Sequence, residues 1–116
     1  AFVLKAKNTI KEKVVIQVPC DLGRETRADI VVEMRVRTKT HAQKTLEDIA
    51  NGTTEEQDLF AEDILNIDGL KDESGEAIPY TAELLPLLLD MAYVSKALSD
   101  TWMAVQFGRK DLRRKN

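Results

Sequence analysis

Residues 30–37 alternate without a break. Ile30, Val32, Met34 and Val36 occupy one set of positions, and Val31, Glu33, Arg35 and Arg37 the other. Successive side chains of a strand point to opposite faces, so this run has one apolar face and one largely polar face. One buried and one wet face is the mark of an antiparallel sheet. A second β-branched run, Lys13-Val14-Val15-Ile16-Gln17-Val18, reads as a strand stopped by Pro19, which has no N–H to give a ladder. Asp21-Leu22-Gly23-Arg24 suits a turn after it. Residues 2–7 alternate weakly, as a short edge strand does, with Asn8 and Thr9 as a turn. Residues 2–38 are thus expected to form a two- or three-stranded meander. So small a sheet needs helices on its apolar face.

From residue 40 the period becomes helical. Thr40 and Gln43 form a capping box, and Leu46, Ile49 and Ala50 follow on one face. Asn51-Gly52 stops that helix, because glycine accepts the left-handed conformation in which helices end. Thr53 with Glu56, or Thr54 with Gln57, caps the next, whose acidic first turn suits the helix dipole. Leu59, Phe60, Ile64 and Ile67 supply its apolar side. The polar residues 72–75 read as a turn. Thr81 is an expected N-cap, Pro86 should kink or restart the helix after it, and Asp90 should cap the last one. In that last helix Met91, Val94, Leu98, Trp102 and Val105 recur at helical spacing, with Gly108 at its end.

The fold class expected is therefore α+β, a small N-terminal antiparallel β-meander followed by a helical C-terminal bundle. With 116 residues, one domain is the natural division: 1–108, β-rich over 1–38 and helical over 40–108. Residues 109–116 are too polar to pack and read as a mobile basic tail. A lone cysteine, Cys20, fits a reducing compartment. Residues 1–7 contain no signal-peptide pattern, and the leucine run at 84–89 is too short to span a bilayer, so a cytoplasmic protein is expected.

The net charge of −3 conceals a strong asymmetry. Residues 1–46 carry ten basic and five acidic side chains, residues 47–83 one basic and twelve acidic, and residues 84–116 six basic and three acidic. An acidic centre between basic ends favours electrostatic contact with other subunits or partners.

Catalytic chemistry is hard to assemble. His41 sits at a helix start with no orienting acid or nucleophile that the sequence nominates. Cys20, beside Pro19, reads as a small, partly buried residue. Asp68, Asp72, Glu73 and Glu76 are rich in carboxylates but lack the spacing of an EF-hand loop. Gly69 and Gly75 lie among acids that repel phosphate. No catalytic residue, metal or cofactor is expected. The basic tail, with Arg109, Arg113 and Arg114, and the sheet face carrying Arg35 and Arg37 beside Lys5 and Lys7, are two positive patches. They suit an acidic protein surface or, as the alternative, nucleic acid. The Met91, Val94, Leu98, Trp102, Val105 stripe is either core or a partner-docking face.

The order of these features resembles a family. A basic β-rich start and acidic helices precede the turn Ile67-Asp68-Gly69-Leu70-Lys71-Asp72-Glu73-Ser74-Gly75-Glu76. Then come Ile78-Pro79-Tyr80-Thr81, a leucine-rich short helix, a last helix and a close on Arg114-Lys115-Asn116. This is similar to the tail assembly chaperones of long-tailed bacteriophages and prophages, though Ile67 stands where many of them have an aromatic. The resemblance implies a non-catalytic protein of the infected or lysogenic host's cytoplasm, absent from the mature virion. It also implies binding to the tape measure protein, help in assembling the major tail tube protein around it, and self-association. The stripe and the three tail arginines are then the expected partner-binding residues. The runner-up is a small nucleic-acid-binding phage regulator using the basic tail and sheet face.

Overall fold

The computed structural model describes residues 1–4 and 8–108. Two twelve-residue strands, β1 (Asn8–Pro19) and β2 (Glu25–Val36), pair antiparallel in a long hairpin, with Val14 opposite Ile30 and Asn8 opposite Val36. The alternation read from the sequence holds: Val14, Ile16, Ile30, Val32 and Met34 are buried on one face. On the other face Lys13 and Arg27 flank Asp29 at 3.4 and 3.2 Å in water, pairs of the kind that contribute little. Asn8 and Thr9 belong to β1 and not to a turn, because they continue the ladder opposite Val36 and Arg35. Residues 1–4 form no strand.

Among the described residues four α-helices follow: α1 (Lys39–Ala50), α2 (Glu56–Asp63), α3 (Leu84–Leu89) and α4 (Ala92–Phe107). The chain is α+β, with a three-stranded antiparallel sheet in which β2 is the central strand. The third strand, β3 (Ile64–Asp68), comes from the region read as helix. Ile64 and Ile67 are three apart, a helical spacing, yet both are buried in a strand. An irregularity in the β2–β3 register makes this possible: Ile67 lies opposite Val32 and Asn66 opposite Glu33, but Met34 is opposite Ile64, so Leu65 is the extra residue. The bulge returns Ile64 to the inner face and leaves Leu65 48% exposed.

The helix ends also shift. Thr38, two residues before the expected capping box, caps α1 by accepting the His41 N–H at 3.2 Å. Asn51-Gly52 ends it as expected, with Gly52 at φ 76°. α2 starts after Glu55 and α4 after Met91, neither with a side-chain cap, so the threonines at 53 and 54 and Asp90 do not cap them. α3 begins only at Leu84, which puts Pro86 in the first turn, where no N–H is needed for the helix. The acidic turn is self-contained. Asp72 Oδ1 accepts from Ser74 Oγ, Ser74 N and Glu76 N at 2.6, 2.9 and 3.0 Å. The Ser74 hydroxyl foremost, then the Glu76 amide, holds the Asp72 carboxyl below the usual aspartate range.

The core lies between the sheet's inner face and α2, α3 and α4. Phe60, Leu85, Leu98 and Trp102 meet Val32, Met34 and Ile67 there. Phe107 packs edge-on to Trp102, with ring centroids 6.1 Å apart.

Candidate functional site

Where β2 ends, the sheet's polar face turns into a cluster of buried charge. Asp63, the last residue of α2, is fully buried. Its Oδ2 accepts from Arg37 Nε at 2.8 Å and from Trp102 Nε1 at 2.7 Å, and its Oδ1 accepts from Arg35 Nε at 3.1 Å. Arg35 Nη2 is also 3.0 Å from Oδ1, at ion-pair distance but without hydrogen-bond alignment. A buried carboxylate must be paired and hydrogen-bonded to be tolerated, and this one is.

Arg37 is the hub. Its side chain is 4% exposed. Beyond Asp63, Nη2 donates to Glu62 at 3.0 Å, and Nη1 donates to Thr45 Oγ1 at 3.1 Å and lies 2.8 Å from His41 Nε2. A guanidinium only donates, so Nε2 is the acceptor in this contact. Burial pulls the Arg37 pKa down, but the hydrogen bond and charge of Asp63, then those of Glu62, outweigh it and hold the group above its ordinary value. The backbone is clasped too. Gln106, near the end of α4, accepts the Arg37 N–H at 2.7 Å and donates to the Arg35 carbonyl at 2.8 Å. One side-chain amide thereby acts as a neighbouring strand would.

Outside this cluster lies a cleft of about 440 Å³ whose wall includes Asn8, Val36, Arg37, Thr38, Glu62 and Leu65. It adjoins a second hollow, of about 490 Å³, walled by Phe2, Val3 and Leu4 and by the same Asn8, Val36, Arg37 and Thr38. Phe2, Val3 and Leu4 are 89, 70 and 89% exposed. The two hollows share Asn8, Val36, Arg37 and Thr38, so Phe2, Val3, Leu4, Val36 and Leu65 line one open region among polar side chains that include Arg35 and Glu62.

The expected partner-binding residues lie elsewhere. Val94, Leu98 and Trp102 are core residues at 4, 0 and 2% exposure, so in this fold they do not present a docking stripe. Val105 is half-buried against the core, and Met91, just before α4, is 37% exposed. Arg109, Arg113 and Arg114 lie outside the described residues, as do Lys5 and Lys7. The basic sheet face is also corrected: Arg35 and Arg37 are occupied by Asp63 and Glu62 and are not free for phosphate. His41 is exposed in a first turn as read, with the Arg37 contact added. Cys20 is exposed at the far end of the hairpin, its Sγ 3.0 Å from Thr26 Oγ1. Among the described residues no cluster of three or more His, Cys, Asp or Glu has a metal-binding arrangement, and no helix is long and apolar enough to cross a membrane. Asp63 and Gln106 carried no signal in the sequence. One is an acid among acids, and the other lies 69 residues from its partner Arg37.

No family model, curated protein or solved structure matches the chain.

Proposed function

We propose that the protein is a tail assembly chaperone of a long-tailed bacteriophage or prophage. It binds the tape measure protein in the host cytoplasm and assists assembly of the tail tube protein, without catalysis. The reading rests on the order of motifs over residues 67–116 and is supported by one structural observation. Phe2, Val3, Leu4 and Leu65 are exposed around two adjoining hollows at the end of the sheet that share Val36, with no other described residue covering them. Exposed apolar side chains grouped at one end of the sheet suit an apolar helix of a client. Arg35 and Glu62 beside them give the contact a polar rim.

Co-expression with the tape measure protein tests this. Leu4→Glu combined with Leu65→Glu leaves the buried core untouched, so circular dichroism and Tm are expected to stay at wild-type values. The tape measure protein is expected to leave the soluble fraction. Undiminished co-purification of the two proteins sinks the proposal.

A further inference from the structure

Hydrogen bonds around β1 and β2 fix which backbone groups of β1 face outward. The Cys20 N–H donates to the Arg24 carbonyl at 2.8 Å, continuing the register in which Pro19 lies opposite Glu25. Hydrogen-bonded and non-hydrogen-bonded pairs alternate along an antiparallel ladder. The even-numbered residues of β1 therefore turn their N–H and C=O toward β2, and Thr9, Lys11, Lys13, Val15 and Gln17 turn theirs away from it. Gln106 gives the same phase from the far side of β2, since it takes up the Arg37 N–H and the Arg35 carbonyl, which face away from β1. No described residue bonds the outward backbone groups of β1.

Part of this free edge is defended. Lys11 and Lys13 stand on it and Pro19 ends it, as charges and proline do where a sheet must not grow. Between them Val14-Val15-Ile16-Gln17-Val18 carries no charge and is β-branched at every position but Gln17. A hollow of about 340 Å³ opens alongside, where Val15 and Gln17 meet Tyr93, Lys96, Ala97 and Asp100 of α4. Lys96 and Asp100 pair with each other at 3.1 Å, so the helix adds no net charge there, and Glu25 closes the turn end.

We infer that this stretch binds one extended, uncharged peptide segment of another protein by strand addition. The segment pairs its backbone with Lys13, Val15 and Gln17 and lays alternate apolar side chains against Tyr93 and Ala97. A second copy does not suit the same edge. α4 packs on β1 more than on β2. Two β1 strands paired antiparallel lie about 4.8 Å apart and bring both helices to one face, where packed helices need about 8–10 Å. A lone extended segment brings no helix. The inference does not rest on the tail-assembly reading.

Amide hydrogen exchange of the full chain tests it, with a capped hexapeptide of alternating threonine and valine as probe. In the free chain the amides of Lys13, Val15 and Gln17 should exchange quickly, and those of Val14, Ile16 and Val18 slowly. Peptide at about 1 mM should slow the first three about ten-fold, as a Kd of about 100 μM requires, and leave the others unchanged. The same peptide N-methylated at every residue has no N–H to offer and should slow none of them. Val15→Pro removes one outward N–H without touching the β1–β2 ladder, so its even-numbered amides should stay slow while the effect of the peptide disappears. Unchanged exchange at Lys13, Val15 and Gln17, equal slowing of odd and even amides, slowing by the methylated peptide, or an undiminished effect in a folded Val15→Pro chain overturns the inference. So does slowing that appears without peptide as the chain is concentrated and a heavier species sediments, which gives the edge to a second copy.

Discussion

The two ends of the β1–β2 hairpin are built from the same kind of strand and meet opposite fates. At one end Gln106 holds the backbone of Arg35 and Arg37, and Asp63 and Trp102 hold their side chains, so sheet, α2 and α4 converge on buried charge. At the other end Cys20, Leu22 and Arg24 stand in water beyond the reach of α4. The difference shows what a strand's alternation leaves open. Arg37 sits at a polar position of the pattern and is buried, because a carboxylate from a distant element meets it. Leu22 is apolar and exposed, because no described residue meets it.

If the clasped end owes its order to Asp63, then removing that carboxylate should have the largest effect of any change here. Asp63→Ala leaves Arg37 buried without its main partner and is expected to cost about 3–5 kcal/mol in urea unfolding. A loss below about 1 kcal/mol would mean that water or Glu62 takes over, and the contrast between the ends would lose its basis. Trp102→Phe keeps most of the ring but removes the Nε1 donor from Asp63. About 1–3 kcal/mol should disappear, the cost of leaving a buried acceptor short of a partner. Gln106→Ala tests the backbone clasp alone. It should cost about 1 kcal/mol, and hydrogen exchange should quicken at the Arg37 amide before it does at Val14 or Ile30.

The smallest effect expected lies away from both ends, in the turn around Asp72. That carboxyl titrates below its unfolded value, so its contribution is present above the ordinary aspartate range near pH 3.9 and is lost as pH falls through the lowered value. Asp72→Asn should flatten that acid limb of the stability curve and leave the Tm gap between wild type and Asp63→Ala at neutral pH unchanged. An unaltered acid limb would show that the Ser74 and Glu76 hydrogen bonds are equally present in the unfolded chain.

What the sequence by itself determined is the local part of this protein. The period-two run at 30–37, the strand at 13–18, the turn at 21–24 and the helix stop at Asn51-Gly52 each follow from the chemistry of neighbouring residues, and each is found in the fold. The apolar stripe of α4 was equally legible as a stripe. What covers it was not, because periodicity reports which side chains share a face and not what that face meets. Only the tertiary structure assigned Val94, Leu98 and Trp102 to the core, and only pairing with β2 turned Ile64 and Ile67 from a helical spacing into a bulged strand. The charge cluster was out of reach for the same reason: Asp63 is 26 residues from Arg37 and 39 from Trp102. Its burial is the outcome of three elements meeting, and no short stretch of sequence contains all three.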